Sequence, residues 1–117
     1  MAHDSHNIIA VGADDASLCR AINLLIANRG GVCAVSPEGE HVLPLPIAGL
    51  MSDLSAAEAA AGYGSVEEFA RELGSPLRAP LMTLSFMALL VIPELKLSDL
   101  GLFDGAVFQF VPAVQPL

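Results

Sequence analysis

Gly31-Val32-Cys33-Ala34-Val35, Ser36-Pro37-Glu38-Gly39-Glu40 and His41-Val42-Leu43-Pro44-Leu45 run consecutively through the first half of the chain. Two short apolar arms, rich in β-forming residues, flank five residues of turn chemistry, which predicts a hairpin. Pro44 and Pro46 cannot donate ladder hydrogen bonds, so the second arm must be short, bulged or at a sheet edge. Upstream, Leu18, Ala21, Ile22, Leu25 and Ile26 recur at the three- and four-residue spacing of one buried helical face. Asp14 or Asp15 serves as N-cap and Gly30 as the stop. Before that helix, residues 7–12 form a β-branched run ending in Gly and predict a strand that feeds directly into it.

Downstream of the hairpin, residues 48–52 read as a helical turn. Ser55-Ala56-Ala57-Glu58 and Ser65-Val66-Glu67-Glu68 each place Glu three residues after Ser, the capping-box pattern that satisfies the first free amides of a helix. Two helices are therefore expected, separated by Gly62-Tyr63-Gly64. The second has Val66, Phe69, Ala70 and Leu73 on one face and stops at Gly74. Pro76 and Pro80 break the chain before an apolar helix over residues 82–90. Residues 107–111 suit a last strand, and Pro112 and Pro116 mark a tail. Strand, helix, strand, strand and then helices indicate an α/β or α+β domain: a small mixed sheet with helices packed on it. Three or four short strands are too few for so many apolar helical faces. The expectation is an incomplete domain whose layer is finished by strands from elsewhere.

The composition supports that expectation. Of 117 residues, 54 % are hydrophobic, high for so short a domain and suggestive of apolar surface the chain does not bury by itself. The net charge of −8, from 13 acidic and 5 basic residues, argues against nucleic acid, which requires clustered Lys and Arg. The longest apolar stretch, residues 81–92, falls well short of the roughly twenty residues that span a bilayer, so no membrane partner is expected. No basic n-region followed by an apolar h-region opens the chain, which makes cytoplasm the expected location. Cys19 and Cys33 lack CxxC spacing and sit among apolar neighbours, as reduced, buried core thiols would.

Chemistry concentrates in His3-Asp4-Ser5-His6-Asn7. If this run continues the strand, Asp4 and His6 share one face; if it is a tight turn, His3 and His6 converge. Either geometry could offer two ligands to a metal, or a carboxylate orienting an imidazole. A full metal site needs a further ligand, and His41, Asp53 and Glu94 stand at no diagnostic spacing. The plain alternative is a solvated segment bonded to nearby backbone. Leu45-Pro46-Ile47-Ala48-Gly49-Leu50-Met51-Ser52-Asp53 joins a rigid Pro turn to a polar end, as loops lining a site often do, although Ser52 or Asp53 could equally cap a helix. Glu94 follows Pro93, and its plain reading is a salt bridge to Lys96. No nucleophile elbow, P-loop, GxGxxG, HExxH or HxH occurs, so no catalytic residue is assigned within this chain.

Taken together, residues 2–9, the loop 45–53, Met82-Thr83-Leu84-Ser85-Phe86 and Val91-Ile92-Pro93-Glu94-Leu95-Lys96-Leu97 resemble the C-terminal domain of bacterial adenine deaminases, in the family's order and over essentially the whole chain. Departures are Leu90 where a Pro is usual, Ala13 where a Thr is usual, and a shortened, Gly-rich stretch at residues 60–65. The resemblance implies a hydrolase converting adenine to hypoxanthine and ammonia in purine salvage, in which a metal-bound hydroxide attacks the carbon bearing the amino group. It implies that the divalent metal, Mn or Fe, belongs to an N-terminal amidohydrolase-type barrel that is not in this sequence. Residues 1–117 then form the latter part of the family's C-terminal domain.

His3, Asp4 and His6, with Ser52, Asp53 and Glu94 behind them, become candidates for the substrate site or the domain interface. His3, Asp4 and His6 are also metal-ligand candidates. Adenine, the barrel and a second copy of the chain are the expected partners. The other functional class is a free-standing, non-catalytic binding or assembly module derived from the same domain.

Overall fold

The structure, a computed structural model, describes residue 2 and residues 6–114. The two apolar arms pair as expected. β1 (Gly31–Ser36) and β2 (Gly39–Pro44) run antiparallel, in register from Gly31 opposite Pro44 to Ser36 opposite Gly39. Ser36 holds the turn: its hydroxyl accepts from the Glu38 N–H at 3.1 Å and donates to the Glu38 carboxylate at 2.8 Å. Because side chains alternate along a strand, the two faces of the hairpin meet different helices. Val32 and Leu43 face α2 (Ala56–Glu72), where Val66, 1 % exposed, joins them and Leu45 in the core.

The other face carries α1 (Asp15–Ala27), whose Ala21 carbonyl accepts from the Cys33 thiol at 3.5 Å. Arg20 clamps α1 to the hairpin, donating to the Glu40 carboxylate at 2.9 and 3.2 Å and to the Ser36 carbonyl at 2.8 Å. The result is three layers, helix on strands on helix, with only two strands in the middle one.

Local chemistry explains the helix ends. Asp14 is the N-cap of α1, accepting the Ser17 N–H at 2.8 Å. At the other end Gly30 N–H donates to Leu25 O at 2.8 Å and Arg29 N–H to Ile26 O at 3.0 Å, a Schellman arrangement. The left-handed residue there is Arg29, at φ 59, where Gly30 was the expected stop. Gly30, at φ 113, serves a different contact: its α-carbon lies against the backbone of Gly49.

Ser55 and Glu58 form the full capping box of α2. Ser17 hydrogen bonds, first from the backbone N–H and then from the hydroxyl, hold the Asp14 carboxyl below its ordinary 3.8, and Ser55, hydroxyl first, holds Glu58 below its ordinary 4.5. Depressed carboxylates contribute stability above their ordinary values and lose it as pH falls through the native ones. The melting midpoint followed by far-UV circular dichroism should therefore drop as pH falls below 4.5 and further below 3.8. Ser55→Ala should shrink that drop, and an equal drop in the variant would contradict the assignment.

Several expectations are corrected. Residues 8–12 form no strand: among the described residues no chain pairs with them, and Ile8 and Val11 are 48 % and 79 % exposed. The two expected helices are one, since α2 runs through Gly62-Tyr63-Gly64. Gly62 sits where a Cβ would lie 3.0 Å from Leu43 Cδ1, so close packing on β2 outweighs the helix cost of glycine, about 1 kcal/mol. Ser65 is not a cap; its hydroxyl is 2.7 Å from His41 Nδ1, and His41 stacks on Phe69 with centroids 4.4 Å apart. The expected helical turn at residues 48–52 is a tight reversal closed by an Ile47·Met51 bridge, with Ala48 and Gly49 at φ 57 and 72.

α3 (Pro80–Phe86) is shorter than the expected 82–90 and begins on Pro80, whose missing N–H costs nothing at a helix start. It is only partly covered, since Met82 and Phe86 are 50 % and 42 % exposed. Cys19 is exposed, contrary to expectation, and Cys33 is half-buried; both are free thiols.

The last third holds a sheet largely missed from the sequence. β3 (Leu95–Ser98), β4 (Gly101–Asp104) and β5 (Gln109–Val111) pair antiparallel in that order, so only the end of the expected 107–111 strand is confirmed. Phe103, 8 % exposed, is enclosed edge-on by Phe108 and Phe110. No helix or hairpin strand packs extensively on this sheet. The fold is thus the expected mix of helix and strand, in the α+β form, but with two separate antiparallel sheets where one small mixed sheet was expected. No helix among the described residues is long and apolar enough to cross a membrane.

Candidate functional site

A trough of about 970 Å³ opens along the side of β1 that faces away from β2. Ala21, Ile22 and Leu25 of α1 form one wall, and Leu81, Leu84 and Ser85 of α3 another. Residues 8–13, outside any helix or strand, line it, as do Ala2, His6 and Asn7. The walls are mostly aliphatic. Asn7, Ile8 and Ile9 also line a second, smaller cavity beside Lys96, Leu97, Ser98 and Asp99, so this short stretch lies between the layered unit and the β3–β5 sheet.

His3 and Asp4 lie outside the described residues. His6 adopts turn geometry: it is exposed, at φ 51, and its N–H donates to the Ala2 carbonyl at 2.9 Å, beside an Ala2·Asn7 bridge. Of the two geometries open from the sequence, the structure takes the turn. Ser52 accepts the Leu54 N–H at 3.1 Å and caps no helix; Ser55 does that. Asp53 is exposed. Glu94 is exposed as well and makes no bridge to Lys96, whose ammonium donates to the carbonyls of Ile92 at 2.8 Å and Pro93 at 3.4 Å.

Of the described candidates only His6 lines the trough, and Ser52, Asp53 and Glu94 do not converge with it. No three His, Cys, Asp or Glu side chains among the described residues are grouped to hold a metal ion. Those residues do not fit a metal centre. Burial first, then the Glu40 charge, raises the Cys33 thiol above its ordinary value and keeps it protonated and unreactive. The trough itself was invisible to motif reading; its only sequence signal was the apolar excess without enough strands to cover it.

A protein-family model described as the adenine deaminase C-terminal domain matches residues 1–109. The chain belongs to that family. The adenine deaminase of Sulfurovum sp. is 62 % identical over 112 residues, which cover 95 % of this chain and 21 % of the relative. The adenine deaminase of Salinibacter ruber is 58 % identical over 112 residues, covering 95 % of this chain and 20 % of the relative. That of Methanosarcina acetivorans is 55 % identical over 111 residues, with the same two shares. The chain therefore spans about a fifth of the length of the curated relatives it matches. No solved structure matches it.

Proposed function

We propose that this chain serves as the C-terminal part of an adenine deaminase, the enzyme that takes adenine and water to hypoxanthine and ammonia in purine salvage. The observation that carries the reading is identity of 62 % across 95 % of the chain with a protein of that name. In this reading an N-terminal amidohydrolase-type barrel holds the divalent metal, Mn or Fe, and performs the chemistry. The C-terminal part packs on the barrel and shapes the approach to adenine. His3, Asp4 and His6 are the first candidates for contact with the substrate site or the barrel, and Ser52, Asp53 and Glu94 the next. The His6 turn supports this, because His6 is exposed and lines the apolar trough.

The test supplies this chain to a Sulfurovum adenine deaminase from which the matching C-terminal region has been removed, and follows hypoxanthine by chromatography. The 117-residue chain alone, with Mn or Fe added, is expected to turn over no adenine. The truncated relative should gain turnover when the chain is added, and His6→Ala should reduce the gain. Metal-dependent turnover by the chain alone, lost in His6→Ala, would overturn this division of labour. Absence of any gain would overturn the assignment itself.

A further inference from the structure

We propose that the outer edge of β1, on the floor of the large trough, receives an extended apolar segment of the polypeptide that precedes this domain in adenine deaminases, added as a third strand. The proposal rests on the functional reading above and names the surface through which it operates. Its first support is the direction of the backbone. Leu45 N–H donates to Gly30 O at 3.1 Å, which fixes the alternation of the antiparallel ladder. In the observed register, residues 32, 34 and 36 then bond across to β2, while Gly31, Cys33 and Val35 turn their N–H and C=O groups away from it. They point into the trough, where no strand pairs with them among the described residues.

A row of backbone donors and acceptors between aliphatic walls has an unmet requirement for hydrogen bonds. A compact apolar molecule cannot meet it. A strand meets it along its length while placing alternate side chains against α1 on one side and α3 on the other. The layering agrees, because α1 and α2 sandwich a middle layer one sheet thick that ends abruptly after two strands. The two edges of the hairpin also differ. Pro44, opposite Gly31, falls at an outward-facing position of β2 and has no N–H to offer, which blunts that edge. β1 has no proline and is left open.

The identity of the occupant follows from what lies next to the trough. The match covers 21 % of the Sulfurovum relative and is to a C-terminal domain, so most of that relative's chain precedes it. Such a chain arrives at Ala2, which is 8 % exposed and lines the trough. The preceding segment is therefore delivered to the open edge by covalent connection, at high effective concentration.

Hydrogen–deuterium exchange on the full chain, alone and mixed with the truncated Sulfurovum relative, tests this. The Cys33 and Val35 amides should exchange fast in the chain alone and slowly in the mixture. Val35→Pro, which removes an outward N–H and obstructs pairing, should weaken the association on the order of tenfold. Ile22→Asp, which puts a charge on the α1 wall without touching the ladder, should weaken it comparably, so that a misfolded hairpin is not the only explanation.

A complex that restores turnover while these two amides stay fast overturns the proposal and leaves the functional reading standing. Protection already present in the chain alone overturns it too. Dependence on concentration would then point to a second copy, and independence to the chain's own residues 8–12. Failure to associate at all overturns both.

Discussion

Gly30→Ala is expected to destabilise the chain strongly. Two costs coincide at this residue. Its φ of 113 lies in the region that side chains rarely occupy, at a cost of about 1–3 kcal/mol. An added Cβ would also collide with the Gly49 α-carbon and come within 3.3 Å of the Leu45 carbonyl oxygen. Both neighbours are backbone, so neither can swing aside as a side chain would, and overpacking of this kind typically costs a further 1–3 kcal/mol, roughly. Separating Gly30 from Gly49 would also pull on the Leu45 N–H bond to Gly30 O, the contact that extends the ladder past Pro44. Urea unfolding should show a midpoint well below that of the parent. A midpoint change equivalent to less than about 1 kcal/mol would mean that the 47–51 reversal moves freely relative to the end of α1.

Leu43→Ala is expected to have the other large effect. Leu43 is 4 % exposed, lies among Val32, Leu45 and Val66, and is the side chain that Gly62 accommodates. Truncation leaves a cavity facing Gly62, which has no side chain to fill it. Large-to-small changes at such positions cost about 2–5 kcal/mol. Tyr63, packed against the same cluster, provides the signal: its fluorescence should report an unfolding midpoint shifted strongly to lower denaturant. A shift comparable to that of a surface substitution would show that this cluster is not the centre of stability.

How far the sequence could be read depends on the range of the forces involved. The hairpin, α1 with its Asp14 cap and the Ser55 capping box were legible because turn chemistry, periodicity and capping act over a few residues. Gly62-Tyr63-Gly64 was misread because its fate depends on Leu43, some twenty positions away, and no local rule encodes that fit. The 8–12 stretch has the composition of a strand but a strand exists only with a neighbour, and propensity alone supplies none. β3 and β4 were overlooked for the opposite reason: Leu95-Lys96-Leu97-Ser98 does alternate, yet it follows a proline and is only four residues long. For the candidate site, sequence marked the polar residues at its margin. The apolar trough, which depends on what is missing between α1 and α3, has no motif at all.

The isolation of the β3–β5 sheet has a consequence for any melting experiment. With so little packing between that sheet and the helical layers, there is no physical reason for the two to lose structure together, and a single free energy of unfolding would describe neither. The sole tyrosine lies on α2 and there is no tryptophan, so ultraviolet fluorescence follows the helical unit and misses the phenylalanine cluster around Phe103. Cooperativity between the halves would then be a property acquired on assembly, with residues 7–9 between them as the coupling element.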